Sequence, residues 1–304
     1  MAVVGKPSKI GKYDVVEVLG EGGMGAVYKA IDPRIGRTVA IKVIKGDFAQ
    51  DPELLRRFDI EARAVGNLQH PNIVVVYDFG EENGSPYLVM QYLDGTPLDK
   101  IIAQRQNLPI IKKLDIIIGV LEALDYAHEH GVIHRDVKPA NVHLLKDGSV
   151  KLLDFGIARE GNLGQTKTGQ VMGTMFYMPP EQMNGEVVDR RGDIFSTGIV
   201  LFELLTYSLP FDARDQTAII VHRLRGDPPP PLSKYFENYP AEMDDIIARA
   251  MMRDRDDRYS RAEDFAFELV RVQERLKRDM ASYRVDQARA LIAKSDLKKA
   301  RELL

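Results

Sequence analysis

Cysteine is absent from all 304 residues, which removes disulfides, thiolate nucleophiles and cysteine-based zinc or iron–sulfur sites and fits a reducing compartment. Long apolar runs are missing too. The longest, Leu114–Leu124 and Ile199–Leu205, carry acidic residues and fall short of the roughly 18 residues of a membrane span. Residues 1–12 contain no apolar stretch of signal-peptide length. The expected location is therefore cytoplasmic, with an anchor after Leu304 left open. Nor is there a large excess of either charge. The formal net charge of −3 gives no electrostatic footprint for nucleic acid, and no nucleic-acid partner is expected. The remaining histidines outside the motifs below, His70, His128, His130 and His222, show no paired ligand spacing, so no zinc site is read.

What is present has the balance of a soluble globular protein, 44% hydrophobic and 29% charged. The length suffices for two lobes with separate cores. Charge is unevenly spread: residues 271–304 hold 10 Lys/Arg against 5 Asp/Glu, so this tail carries +5 and the remainder −8. A solvated helix face is the plainer reading of the tail, with a protein partner through it as the alternative.

Residues 13–93 read as strands with one helix. Tyr13–Leu19, Ala26–Ala30 and Thr38–Lys45 are β-rich. Pro52–Leu68 has helical spacing, with Asp51 as its expected cap. Ile73–Phe79 and Tyr87–Tyr92 flank a Glu-Asn-Gly turn, a hairpin signal. From Leu98 the chain turns mainly helical: Leu98–Ala103, Ile110–His130, Ile194–Leu205, Gln216–Arg225, Ala241–Arg253 and Arg261–Met280. A strand-rich patch, Val142–Leu153, interrupts them.

Four motifs carry chemistry. Gly20-Glu21-Gly22-Gly23-Met24-Gly25 can bring backbone N–H groups close to phosphate, because no β-carbon intervenes. A strand follows it where a dinucleotide-binding fold requires a helix, so that alternative loses. Lys42 lies inside the apolar strand Val39-Ala40-Ile41, and a buried ammonium needs an anion. Glu61 on the following helix is the natural partner. His134-Arg135-Asp136-Val137-Lys138-Pro139-Ala140-Asn141 groups a carboxylate, a lysine and an amide on a segment that proline keeps out of a helix. Asp154-Phe155-Gly156 ends a strand with a carboxylate able to bind a divalent cation.

In this order and at these intervals, the four motifs resemble the eukaryotic-like (Hanks-type) serine/threonine protein kinases, in style closest to bacterial members. The resemblance covers about residues 11–275. It implies an α+β, bilobal fold: a five-stranded antiparallel β lobe with one helix (residues 11–93), and a larger, mainly helical lobe (94–277). A leader (1–10) and a helical extension (278–304) flank them. ATP and Mg²⁺ are the implied cofactors, with Mn²⁺ as an alternative, and proteins with Ser/Thr acceptors the implied substrates. Gly20, Gly22 and Gly25 would cover the phosphates, and Lys42 would grip them while paired with Glu61. Asp136 would orient the acceptor hydroxyl and take its proton, and Lys138 would neutralise the γ-phosphoryl. Asn141 and Asp154 would hold the metal. Val27, Ala40, Met90, Gln91, Leu93 and His143 would surround adenine, with Met90 as gatekeeper. Val65, Val76, His134 and Phe155 match the family's regulatory spine. Asp193 should anchor the catalytic loop, and Glu181 should pair with Arg258.

By the same resemblance, Lys138 two residues after Asp136, and Gly173-Thr174 before Tyr177 and Glu181, imply Ser/Thr rather than Tyr as acceptor. Thr174 should bond near Asp136. Arg135 marks a kinase whose activation loop gains a phosphate, with Thr166 and Thr168 as the autophosphorylation candidates. Pairing of two copies through the N-terminal lobe is an activation route without a sequence signature here. Pro180, Thr197 and His143 depart from the family pattern; Thr197 should bond back to its own turn, and His143 should pack beneath adenine. Beyond residue 275, helical spacing continues to Tyr283. Asp286–Ala293 and Asp296–Leu304 then read as two short helices, the start of a helical repeat in a longer protein. A catalytically weak scaffold is the rival reading. The presence of Lys42, Asp136 and Asp154 argues against it.

Overall fold

Alternation of apolar and polar residues builds the first half of the chain into a sheet. The computed structural model describes residues 7–22, 25–44, 52–155, 175–211, 222, 225–237, 239–293, 299 and 301, without the side chains of 22, 52–55, 57, 58 and 61. Strands β1 (Lys9–Ile10), β2 (Tyr13–Gly22), β3 (Gly25–Asp32), β4 (Arg37–Ile44), β5 (Val76–Glu82) and β6 (Ser85–Gln91) form one antiparallel sheet. Its order is β1-β2-β3-β4-β6-β5. Five strands were expected. The sixth is the two-residue β1, which brings the end of the expected leader into the sheet.

Strand β4 is central and buried on both faces. Val39, Ile41 and Val43 pack with Ala26, Tyr28, Ala30, Tyr87 and Val89 on one side. Ala40 packs with Leu88, Met90, Val74 and Ala62 on the other, the side of helix α1 (Pro52–Gly66). Lys42, two residues after Ala40, shares that second face, because strand side chains alternate. The β5–β6 hairpin closes through Asn83 and Gly84, both with positive φ (50° and 75°), as a two-residue turn of matching twist requires. Strand β5 begins three residues later than its apolar run. Ile73 and Val74 are drawn to the second sheet instead: Val74 N–H donates to Leu152 O at 3.0 Å and Leu152 N–H to Asn72 O at 2.7 Å.

The second sheet is β7 (Gly95–Pro97), β8 (Val142–Leu145) and β9 (Val150–Leu152). Around it lie α2 (Leu98–Ala103), α3 (Ile110–Glu129), α4 (Pro180–Met183), α5 (Arg190–Thr206), α6 (Glu242–Ala250) and α7 (Ala262–Ala293). Helices α3 and α5 are apolar almost all round and form the centre of the larger core. Helix α5 starts four residues before its apolar pattern does, because Asp189 caps it by accepting from Arg191 N–H at 2.8 Å. Helix α7 corrects the expected break after Tyr283: it runs unbroken for 32 residues. Most of the expected Gln216–Arg225 helix, the Asp51 cap and most of the last expected helix lie outside the described residues. Among the described residues, no helix is long and apolar enough to cross a membrane.

Candidate active site

A left-handed backbone at two non-glycine residues marks the centre of the site: Arg135 has φ 61° and Asp154 φ 53°. Such conformations cost on the order of 1–3 kcal/mol and persist where neighbours hold them. Asp193 is the clamp on the first. Its Oδ2 accepts from His134 N–H and its Oδ1 from Arg135 N–H, both at 2.8 Å. Burial alone would raise the Asp193 carboxyl, but its hydrogen bonds from the His128 side chain and the His134 N–H bring it below the usual range. Thr197 Oγ donates back to Asp193 O at 2.7 Å, as expected.

His134, fully buried, joins the two strained points. Its Nδ1 accepts from Asp136 N–H at 3.2 Å, so its Nε2–H donates to Leu153 O at 2.8 Å. Burial holds the ring below the usual imidazole range, which keeps it neutral. Its ring lies 4.6 Å from that of Phe155. Both this pair and Val65 are buried, and Val76 packs against the same core.

Asp136, Lys138 and Asn141 converge. Lys138 Nζ donates to Asp136 Oδ2 at 2.9 Å. Asn141 Nδ2 donates to Asp136 O at 2.8 Å and reaches its Oδ2 at 3.3 Å. The amide nitrogen is thereby spent, which leaves the Asn141 amide oxygen as the donor-free end able to bind a cation. Asn141 O accepts from Leu153 N–H at 2.9 Å, which ties this loop to the residue before Asp154.

Lys42 Nζ donates to Asp154 Oδ1 at 2.7 Å. Glu61, its expected partner, has its side chain outside the described set. Burial pushes the Asp154 carboxyl up, and Lys42 and then Lys138 more than offset this, so the group stays ionised below the usual carboxylate range. One carboxylate and one amide oxygen are hard donors that suit Mg²⁺, which is commonly held by one or two protein oxygens together with phosphate oxygens. Among the described residues, no cluster of three or more His, Asp or Glu side chains could hold a metal alone. The donor set fits a cation that arrives with a triphosphate.

The expected adenine residues come together as well. Val27, Ala40, Met90 and Leu93 meet in one apolar cluster, joined by Leu153, which the sequence reading omitted. Gln91 N–H is committed to Val75 O at 2.8 Å. His143 stands between Pro97 and Lys151 in the register of β7–β8–β9. Its Nδ1 is buried without a partner among the described residues, and burial lowers its basicity. Gly22 pairs with Gly25 across the β2–β3 hairpin, whose two turn residues lie outside the described set.

Thr166, Thr168 and Thr174 also lie outside it, so no geometry bears on them. After them Glu181, at the first turn of α4, makes a bidentate pair with Arg258 at 2.7 and 2.8 Å. Two further groups escaped the sequence reading. Tyr177 OH donates to Glu203 Oε2 at 2.6 Å; burial raises the Glu203 carboxyl, Tyr177 partly opposes this, and Asp99 adds to it. His128 Nε2 lies 2.7 Å from Asp193 Oδ2. No local spacing could have shown either, since each depends on a partner 26 or 65 residues away.

Comparison with known proteins agrees with this geometry. Residues 13–270 match the protein kinase domain model. A probable serine/threonine-protein kinase of Streptomyces coelicolor is 43% identical over 266 residues, 85% of this chain and 39% of that protein. The serine/threonine-protein kinase PknB of Mycolicibacterium smegmatis is 42% identical over 271 residues, 86% of this chain and 43% of the relative. The chain thus spans about two fifths of the length of these relatives. Among solved structures, the PknI kinase domain of Mycobacterium tuberculosis superposes with a TM-score of 0.70 at 32% identity, covering 86% of this chain and 97% of that one. By sequence and by fold, the chain belongs to the protein kinase family, with bacterial serine/threonine-protein kinases among its relatives.

Proposed function

We propose that the chain is the catalytic part of a serine/threonine protein kinase that moves the γ-phosphoryl group of ATP to a protein hydroxyl. The observation that carries this is the Asp136–Lys138–Asn141 cluster, held through Leu153 beside the Lys42–Asp154 pair. A protein that transfers a phosphoryl group mainly positions oxygens in line and offsets charge. Asp136 accepts the hydroxyl proton and aims the oxygen. Lys138, already on the Asp136 carboxylate, is placed to turn to the γ-phosphoryl. Lys42 leaves Asp154 for the α- and β-phosphates when nucleotide enters, which frees the carboxylate. Asp154 and the Asn141 amide oxygen would hold Mg²⁺, or Mn²⁺ in its place, which would supply positive charge beside the phosphates. Gly20, Gly22 and Gly25 close over them, and Val27, Ala40, Met90, Leu93 and His143 enclose the base. The sheet lobe and helical lobe meet at residues 93 and 94, and the work takes place in the cytoplasm.

Radiolabelled ATP with a generic basic protein acceptor tests the reading. Wild type should label the acceptor, and Asp136→Asn should lose about a hundredfold or more of that rate. Equal labelling by the two would leave a scaffold role. Autophosphorylation at Thr166 and Thr168 belongs to the same proposal, resting on Arg135 beside the catalytic carboxylate. Alanine at both should sharply lower activity in the same assay.

A further inference from the structure

We propose, on the phosphoryl-transfer reading above, that the nucleotide base stacks on the His143 ring, and that this ring sets the preference of the site for a purine. Strand alternation places the side chain. Val142, Leu144, Val150 and Leu152 turn to the larger core, so His143, Lys151 and Leu153 share the opposite face. Leu153 packs there against the cluster that holds Val27, Ala40, Met90 and Leu93, and the next residue is Asp154. His143 therefore belongs to the wall where a base must rest if its phosphates are to reach Lys42 and Asp154. Pro97 on β7 and Lys151 on β9 are its neighbours in register. Lys151 is itself committed, with Nζ donating to Ile73 O at 3.0 Å.

The cluster has no aromatic ring of its own. An apolar side chain would complete its wall at no polar cost. The imidazole instead encloses Nδ1 without a partner among the described residues, a cost that interiors avoid where nothing is gained by it. With no bond at that nitrogen, the ring is not held there as a clamp within the fold. What it offers beyond a leucine is a flat aromatic face on a side chain that is only part buried. Offset-stacked rings attract one another beyond the area they bury. The two fused rings of a purine overlap an imidazole more fully than the single ring of a pyrimidine. A contact of this kind reads the extent of the base and leaves its edge groups to the backbone around Gln91.

Carbon–proton correlation NMR of the six histidines tests the stack directly, with the His143 signals identified by their absence in His143→Leu. Saturating ATP should move these ring protons upfield through the ring current of adenine. Ribose 5′-triphosphate, which lacks a base, should leave them in place. Calorimetric titration gives a second readout, also independent of turnover. His143→Leu should weaken ATP about fivefold, weaken 2′-deoxy-ATP by the same factor, and narrow the preference for ATP over UTP several-fold. Ring signals unmoved by saturating ATP, or moved equally by ribose 5′-triphosphate, would overturn the proposal. So would a Kd for ATP in His143→Leu within twofold of wild type, or an unchanged ratio of the ATP and UTP constants. A loss seen with ATP and absent with 2′-deoxy-ATP would assign the ring to the sugar and overturn it too. Should His143→Leu not fold, His143→Gln identifies the signals and takes its place in the titrations. A wild type that binds no ATP would overturn the nucleotide reading itself, whereas ATP binding without the upfield shift would overturn this inference alone.

Discussion

A β-carbon at Gly25 would lie 1.9 Å from the carbonyl oxygen of Val43, whereas one at Gly20 would meet nothing within 4 Å. The two glycines therefore exist for different reasons. At Gly25 the neighbouring strand backbone fills the space, so glycine is a condition of the β3–β4 pairing. At Gly20 the protein sets no limit, so the need arises from whatever approaches the turn, and backbone without a β-carbon lets phosphate come close. Gly25→Ala should cost about 1–3 kcal/mol in urea unfolding. Gly20→Ala should stay within about 0.5 kcal/mol of wild type and raise the KM for ATP several-fold. A stability loss at Gly20 equal to that at Gly25 would remove the distinction. At this scale the sequence named both glycines but could not rank them, because the clash depends on a strand eighteen residues further on.

Helices α3 and α5 could be read from apolar pattern alone, but α7 could not. Its first half buries Phe265, Ala266, Leu269 and Val272 and ties to α3, where Gln273 Nε2 donates to Asp115 Oδ1 at 2.6 Å. Residues 277–287 are all exposed, yet the helix does not stop there. No glycine or proline interrupts it, and pairs such as Lys277–Glu274 at 2.9 Å and Gln287–Tyr283 at 2.9 Å each add a few tenths of a kcal/mol. Asp286, which suggests the start of a new helix, sits inside the old one. The two halves should respond differently to mutation. Leu269→Ala should lower global stability by about 2–5 kcal/mol. Ala281→Gly should cost about 1 kcal/mol of local helicity and leave the global unfolding midpoint and the labelling activity unchanged. A shift in the midpoint from Ala281→Gly would mean that the outer half packs on the body.

Across the whole molecule, the Glu181–Arg258 pair joins the segment after the activation loop to the residues between α6 and α7. Arg258 is buried, stacks 4.8 Å from the Phe195 ring centroid, and donates to Met252 O, Arg191 O and Arg253 O as well as to both Glu181 oxygens. Every donor direction of the fork is used, which a lysine cannot reproduce. Arg258→Met should cost about 3–5 kcal/mol, because it leaves the Glu181 carboxylate buried and unpaired, and Arg258→Lys should recover little of it. Denaturant unfolding at neutral pH measures both, and a loss below about 1 kcal/mol for Arg258→Met would contradict the pairing.

Residue order alone determined which side chains could do the chemistry. Asp136, Lys138, Asn141 and Asp154 lie at fixed intervals on short segments outside the α-helices, where the 3-10 turn begun by Pro139 and the strand ends set the local backbone. It also determined the pairing of Glu181 with Arg258, once the resemblance to a family was seen. Only the tertiary structure decided that Lys42 rests on Asp154, that Arg135 and Asp154 are held left-handed, that His128 bonds to Asp193, that Leu153 joins the apolar cluster around Met90, and that Glu203 takes the Tyr177 hydroxyl. Hydrogen bonds and burial between residues dozens of positions apart are set by how strands and helices pack, and no local spacing encodes that distance.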